Sequence, residues 1–445
     1  MVSTYREGSL EAPTRHALDW KSAAFYQREA VDHELKRVFD ICHGCRRCVS
    51  LCNAFPTLFD LIDQSATMDV EGVSANDYSQ IVDQCYLCDL CYLTKCPYVP
   101  PHEWNVDFPH LMLRAKAVQF NEKGARVRDK ILSATDRMGA LASIPIVVNV
   151  VNYANQRSWF RRILEKVLGV HRASKLPSYH RRTFRKRFKK QDAAHHRVSL
   201  AGKTRGKVVL YTTCYGNYNE PELNADLQRV LEHNGIEVAL LKAERCCGMP
   251  KLELGDLESV ASLKEHNIPN LVRWVDEGWD ILAPVPSCVL MYKQELPLLF
   301  PDDPEVLRVK EHIFDPFEYL AIRHRHGQLN TQFVRSLGKV AYHVACHQRV
   351  QRIGLKTKEI LSLIPDTQVT AIERCSGHDG TYGVKKEFYP LAAKIGQPVA
   401  TRILEAAADF YTSDCPMAGR HLEHLLDNQT QTHHPIALLR LAYGL

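Results

Sequence analysis

No run of about twenty consecutive apolar residues occurs in this 445-residue chain, so no segment reads as a bilayer-crossing helix. The nearest candidate, GALASIPIVVNVVNYAN around Pro145, is too short and is interrupted by Asn149 and Asn152. A G-x-G-x-x-G between strand and helix is lacking, and GHDGTYG near Gly377 has the wrong spacing for a dinucleotide loop. There is no Walker motif and no C-x-x-C-H haem attachment. The chain therefore reads as having no NAD or flavin site, and any hydride chemistry it serves would belong to a flavin-carrying partner. No apolar stretch follows the opening MVSTYREGSLEAPTRHALDW to act as a signal peptide, so a reducing cytoplasm is the expected compartment. With 45% hydrophobic and 24% charged residues the mix is ordinary for globular proteins, which excludes a disordered polymer and a multi-span membrane protein. At about 150 residues per domain, the length suggests roughly three domains.

What the chain has in excess is cysteine, fifteen in all. Eight fall in two tight runs, Cys42, Cys45, Cys48 and Cys52 in CHGCRRCVSLC and Cys85, Cys88, Cys91 and Cys96 in CYLCDLCYLTKCP. The other seven are Cys214, Cys246, Cys247, Cys288, Cys346, Cys375 and Cys415, all in the second half. Clustered thiols in a reducing compartment point to metal rather than disulfides. Charge is equally uneven. His171 to Arg197 carries ten Lys or Arg against one acid, a local +9 in a chain of net +6, so the remainder sums to −3. This stretch reads as a linker or docking surface.

The first 115 residues read as mainly helical, from segments such as AVDHELKRVFDI with helical apolar spacing. The second half repeats itself. KVVLYTTC ends at Cys214 and KVAYHVAC at Cys346, RCCG at Cys246 echoes RCSG at Cys375, and ILAPVPSC at Cys288 echoes DFYTSDC at Cys415. The offsets are 132, 129 and 127 residues, which indicates a duplicated domain. Each copy alternates strand and helix patterns, predicting a parallel sheet with helices on its faces and cysteines converging at the C-terminal ends of its strands.

C-x2-C-x2-C sets three thiolates on one short wrapping loop, and soft sulfur ligands suit iron–sulfur clusters. In the bacterial ferredoxin run the fourth cysteine ligates the other cluster. Transferred here, Cys42, Cys45, Cys48 and Cys96 would hold one [4Fe–4S] cluster and Cys85, Cys88, Cys91 and Cys52 the other. Pro97 fits that run, while Asn53 in place of the first Pro and four rather than three residues between Cys91 and Cys96 depart from it. A pair of zinc sites is the alternative, although zinc generally uses two separated cysteine pairs. With its long spacer the region 35–115 resembles the helical ferredoxin domain of succinate dehydrogenase iron–sulfur subunits and of the ferredoxin-type subunit of heterodisulfide reductase.

In the second half the pattern C-x31-CCG-x39-C around Cys246 and Cys247 resembles the cysteine-rich CCG domain. That domain is found twice in the CCG subunit of heterodisulfide reductase, in lactate-oxidation iron–sulfur proteins and in the iron–sulfur subunit of anaerobic glycerol-3-phosphate dehydrogenase. The whole layout is most similar to the last family. The resemblance implies a mixed fold: an all-α ferredoxin-type domain over 1–120, a helical and basic linker over 121–205, and two tandem α/β parallel-sheet CCG domains over 206–330 and 331–445. It also implies an additional iron–sulfur centre in copy one, held by Cys214, Cys246, Cys247 and Cys288. Here Met291 stands where the family has its last cysteine, and copy two has Ser376 and Ala418 at two cysteine positions. Copy two keeps Cys346, Cys375 and Cys415, with His343, His347 and His378 nearby, for a smaller or different centre or for none.

In NQRSWFRRILEKVLGV, Trp159, Phe160, Ile163, Leu164, Val167 and Leu168 fall on one helical stripe with Arg157, Arg161, Arg162 and Lys166 around it. The stripe is expected to pack on the body of the protein, with an anionic membrane surface as the alternative and peripheral association with the cytoplasmic membrane face as its consequence. YHRRTFRKRFKK interleaves Tyr179, Phe184 and Phe188 with basic residues, as in single-strand nucleic-acid binders. Two functions follow. The first is an iron–sulfur oxidoreductase component that passes electrons between a partner redox protein, a flavin dehydrogenase or a rubrerythrin-like protein, and a quinone or disulfide. The second is a nucleic-acid-binding protein with structural clusters, which the lack of a recognisable nucleic-acid module disfavours.

Overall fold

The computed structural model describes Gly8 and residues 11–188, 198–427 and 430–445, and it divides into two compact units. The first holds the residues up to Ala125 together with Lys251–Glu258 and Leu298–Pro301. It is helical. Arg28–Cys45 buries Val31, Leu35, Val38 and Phe39, a stripe at helical spacing, and closes at Arg46, whose left-handed φ of 47° turns the chain out of the helix. The 32-residue spacer between the cysteine runs supplies the helices Ala54–Asp63 and Tyr78–Gln84. The fourth helix, Phe108–Lys123, starts where the Asp107 carboxylate accepts the His110 N–H at 3.1 Å and stops at Gly124. Aromatic rings knit these helices, with Phe39 edge-on to Tyr78 at 5.2 Å and Phe55 against Phe108 at 4.7 Å.

The second unit contains two parallel sheets of the same design. In copy one β1 (Lys207–Leu210), β2 (Glu237–Leu240), β3 (Asp280–Leu282) and β4 (Ile313–Phe314) lie in the order β2-β1-β3-β4. In copy two β5 (Gly338–His343), β6 (Thr367–Ile372), β7 (Phe410–Ser413) and β8 (Thr432–His433) lie in the order β6-β5-β7-β8. Every pairing is parallel, and the central strands β1 and β5 are short runs that are buried over most of their length. The copies share one core, in which Val208 and Leu210 of β1 and Val340 and Tyr342 of β5 belong to the same buried cluster. Helix Pro221–His233 of copy one packs on Pro435–Tyr443 of copy two, and Pro316–Arg325 packs on Lys356–Leu361.

Four helices, Val127–Ser133, Thr135–Ala142, Val147–Asn155 and Ser158–Leu168, precede the first sheet. Arg128 ties the first to copy two through Glu387 at 2.6 and 2.8 Å. The fourth corrects an expectation. Its apolar stripe does not pack inward: Trp159, Ile163 and Val167 are exposed, and Arg161 is the side chain that is buried. The guanidinium reaches the carbonyls of His171, Arg172 and Ser174 at 2.7, 3.2 and 2.7 Å, and those bonds offset its desolvation.

The basic stretch is described as far as Phe188; its residues 189–197 lie outside the described residues. Phe184 is buried in the shared core with Phe188 packed beside it, and Arg185 pairs with Glu244 at 2.7 Å and Lys175 with Glu423 at 3.3 Å. Of the three rings of that motif, Phe184 is a core residue, whereas Tyr179 and Phe188 are half-buried.

Candidate metal centres

The first cysteine run departs from a pure loop. Cys42 and Cys45 occupy the last turn of helix Arg28–Cys45, and Cys48 and Cys52 follow it. Cys42, Cys45, Cys48 and Cys96 line one pocket together with Ile41, Phe55, Phe59, Pro97 and Tyr98. Cys96 reaches it because the extra residue after Cys91 is absorbed in a wide turn, with the Cys96 N–H donating to the Cys91 carbonyl at 2.9 Å. Burial, with Cys96, Cys48 and Cys45 beside it, holds the Cys42 thiol well above the usual thiol range.

In the second run Leu87 and Asp89 take left-handed φ values of 55° and 61°, which set the turns between Cys85, Cys88 and Cys91. Burial raises the Cys91 thiol first, and its charged neighbours are Cys88, Cys85, Cys52 and Cys48. Cys91 thus lies near both Cys52 and Cys48 of the first run, while Cys96 shares the pocket lined by Cys42, Cys45 and Cys48. Burial pushes Cys85 up to about 12, against the pull of Lys116, whose ammonium donates to the Cys85 carbonyl.

One support, Arg15, gave no sequence signal. Arg15 spans Asp89, at 2.5 and 3.0 Å, and Asp107, at 2.8 and 3.0 Å. It thereby fixes the strained turn inside the second run, while burial opposed by His110 and Arg15 leaves Asp107 below its ordinary carboxylate range.

In copy one the sheet does what its topology requires. Cys214 follows β1, Cys246 and Cys247 follow β2, and Cys288 follows β3, at the C-terminal edge where parallel sheets place ligands. Gly248 at φ 102° makes the turn that lets adjacent thiols face one site, with Met291 packed alongside. The Cys246 sulfur lies within hydrogen-bond reach of Cys214 and Cys247, and Cys247 within reach of Cys288. These bonds hold Cys246 well below the thiol range, while Cys246 and burial push Cys214 and Cys247 above it. Asn267, on helix Leu257–Asp276, accepts the Arg245 N–H at 2.9 Å and donates to the Cys246 carbonyl at 3.1 Å. Asp136 accepts the Cys246 N–H at 2.5 Å, and burial, followed by the Cys246 charge, pushes it up to about 7. Neither Asn267 nor Asp136 is marked by any motif, because each is brought to the turn by packing of a distant helix.

Copy two is built alike and equipped differently. Cys346, Cys375 and Cys415 follow β5, β6 and β7. The Cys375 sulfur accepts the Gly377 N–H at 3.3 Å, and burial pushes Cys415 up to about 12 although the Met417 and Ala418 amides face it. His343 is a core residue, held by Ser413 Oγ at 2.9 Å and the Arg374 carbonyl at 3.0 Å. His347 meets Ser287 of copy one through Nδ1 at 2.7 Å. His378 faces His421 with ring centres 5.8 Å apart, and burial lowers them to about 3 and about 4, so both are neutral at physiological pH.

The donor set fits iron–sulfur groups. Among the described residues no three His, Cys, Asp or Glu side chains close on the point that a single metal ion needs, whereas four thiols surround a shared space in the first run. A cluster places its irons and sulfides between the thiolates, and desolvated thiols give up their protons only to a cation.

The cysteine-rich CCG domain model matches twice, over residues 208–293 and 340–423. The chain is 30% identical over 341 residues to the anaerobic glycerol-3-phosphate dehydrogenase subunit designated C of Escherichia coli K12, covering 76% of this chain and 82% of that protein. It is 28% identical over 257 residues to the fumarate reductase (CoM/CoB) subunit designated B of Methanothermobacter marburgensis, covering 56% of this chain and 49% of the relative. Against lactate utilization protein A of Bacillus cytotoxicus it is 26% identical over 226 residues, 47% of this chain and 87% of the relative.

Proposed function

The chain belongs to the CCG-type iron–sulfur protein family that includes this glycerol-3-phosphate dehydrogenase subunit, and from that membership we propose that it is the electron-transferring subunit of a dehydrogenase or reductase. It works in the cytoplasm, peripherally at the membrane. Electrons pass between a partner redox protein, a flavin dehydrogenase or a rubrerythrin-like protein, and a quinone or disulfide acceptor. In this reading Cys42, Cys45, Cys48 and Cys96 hold one [4Fe–4S] cluster, Cys85, Cys88, Cys91 and Cys52 hold the second, and Cys214, Cys246, Cys247 and Cys288 hold a further centre. Bound clusters supply one-electron transfer.

The protein's own residues do the rest. Ile41, Phe55 and Phe59 give the first pocket an apolar lining. Arg15 locks the Asp89 turn that aims the second run. Asn267 and Asp136 hold the Cys246 turn from two sides. Copy two, with three cysteines and neutral His378 and His421, offers fewer sulfur donors and is the substrate-facing or scaffold copy. The observation that carries the reading is the crossing of Cys96 into the pocket of the first run. Iron and sulfide analysis of anaerobically prepared protein tests it. Zinc in place of iron would overturn it.

A further inference from the structure

The turn that leads into Cys214 holds an unusual conformation. Thr213 takes φ 62° and ψ 155°, a region that glycine occupies almost alone and that crowds a β-branched side chain. Such strain persists only where the surroundings over-determine it. Here they do. The Asn224 amide donates to the Thr212 carbonyl at 2.9 Å, and the Thr213 hydroxyl accepts the Gly216 N–H at 3.0 Å. The tie that reaches across the site is Glu244, whose side chain is only 5% exposed. Its carboxylate accepts the Thr212 N–H at 2.9 Å and the Thr212 hydroxyl, and it pairs with Arg185 at 2.7 Å. Arg185 is fixed in turn, its own N–H donating to Asn217 of helix Cys214–Tyr218 at 3.1 Å.

Copy two supplies the comparison. At the offsets of the repeat Thr212 and Thr213 become Val344 and Ala345, and Glu244 becomes Glu373. Ala345 is ordinary extended backbone, with φ −62° and ψ 146°. The Val344 N–H donates to the Ile372 carbonyl of the neighbouring strand at 3.1 Å, where the Thr212 N–H turns to a carboxylate instead. Glu373 swings outward to Arg349 at 3.4 Å, and its side chain is 48% exposed. The same glutamate is thus drawn inward in one copy and left at the surface in the other. The Thr212 hydroxyl and Arg185 make the difference, and the strained turn belongs to the copy that keeps four cysteines.

We propose that Glu244, held by Arg185, is a positioning residue that locks the strained Thr212–Thr213 turn and so presets Cys214 for the copy-one centre. Glu244 follows β2 and stands two residues before Cys246, so its grip on Thr212 ties the two cysteine-bearing turns of the site to each other. The protein's own hydrogen bonds then help to set the spacing of Cys214 and Cys246 that a bound group requires. Groups that orient metal ligands from behind carry a tenfold to hundredfold share of affinity in general. The proposal rests on the reading that copy one holds a redox centre.

The test follows the copy-one EPR signal and the release of its iron to bathophenanthroline disulfonate, a ferrous-iron chelator. It uses the full-length, anaerobically purified protein, with the ferredoxin-type signals as internal reference. Glu244→Leu is expected to release copy-one iron at least about tenfold faster than wild type. Glu244→Gln keeps an acceptor for the Thr212 N–H and should restore most of that difference. Thr213→Gly removes the conformational penalty, so its melting temperature should hold or rise while copy-one iron is released faster. A purely structural role would make release follow melting temperature, and Thr213→Gly separates the two even should Glu244→Leu fold poorly. Glu373→Leu, at the copy-two counterpart, should leave the copy-one signal and its iron release unchanged. Release unchanged in Glu244→Leu, or release that follows melting temperature through the whole set, would overturn the assignment and leave the redox reading standing. Wild-type protein with no iron beyond the two ferredoxin-type clusters would remove the redox reading of copy one, and the assignment with it.

Discussion

A thiol buried beside other thiols keeps its proton until a cation replaces it, and Cys42, Cys85 and Cys91 are all raised by burial in this way. Their crossed partners can be tested singly. Cys96→Ala should remove about half of the ferredoxin-type iron and the signal of the centre wrapped by Cys42, Cys45 and Cys48, while Cys52→Ala removes the other. Loss of the second centre alone in Cys96→Ala, followed by EPR, would contradict the assignment. Arg15→Met strands Asp89 and Asp107 in a buried site, an expected loss of about 3–5 kcal/mol in denaturant unfolding. A third residue controls pH response away from the cysteines. Asp280 is buried, accepts the Arg205 N–H at 2.6 Å and the Tyr319 hydroxyl at 3.1 Å, and burial pushes it up to about 6. Its folded pKa exceeds the unfolded value, so its contribution to stability grows as pH falls through 6 toward 4. His312, lowered by burial and then by Arg205 and Arg308, acts in the opposite sense, and Arg205 and Arg323 stay charged. Asp280→Asn should therefore remove up to about 2–3 kcal/mol of pH-dependent stability difference across that window. Parallel stability curves for wild type and variant would refute it. The cysteines at this scale were legible because ligation demands a residue type at a spacing. Arg15, Asp136 and Asn267 were not, because their partners lie tens of residues away and only packing joins them.

At the scale of elements, the strands were legible where an apolar β-branched run stops at a cysteine, as β1 and β5 show. The strands β4 and β8 were not, having two residues each and no period to read. The helix Ser158–Leu168 shows a different gap: its apolar stripe was legible in the sequence, but amphipathicity does not say which face meets protein, and the carbonyls of His171, Arg172 and Ser174 drew in Arg161 instead. The two turn glycines give a graded prediction. Gly248 sits at φ 102° with open space to 3.4 Å, so Gly248→Ala meets backbone strain of about 1–2 kcal/mol. Gly377 sits at φ 76° with the Ala392 carbonyl oxygen 2.1 Å from an added Cβ, so Gly377→Ala meets strain and a backbone clash together. Thermal unfolding should rank Gly377→Ala clearly below Gly248→Ala, and the reverse order would mean that the turns do not have these conformations.

For the whole molecule, the duplication and the electron-carrying character were visible in the order of cysteines, while the joining of the two copies into one core was not. That core depends on helices crossing between copies, Pro221–His233 with Pro435–Tyr443, which no offset in the sequence encodes. The copies nonetheless differ in sulfur count, four against three, so Cys247→Ser is expected to abolish turnover and the copy-one signal, and Cys375→Ser to change turnover with that signal intact. The central claim is that crossed cysteine sets hold two cubane clusters. Its most direct measurement is iron and acid-labile sulfide analysis with EPR of the anaerobically purified full-length protein. The expected result is about eight irons in two reducible [4Fe–4S] signals, with further iron from copy one. Protein from iron-replete cells that carries zinc and no sulfide would contradict it.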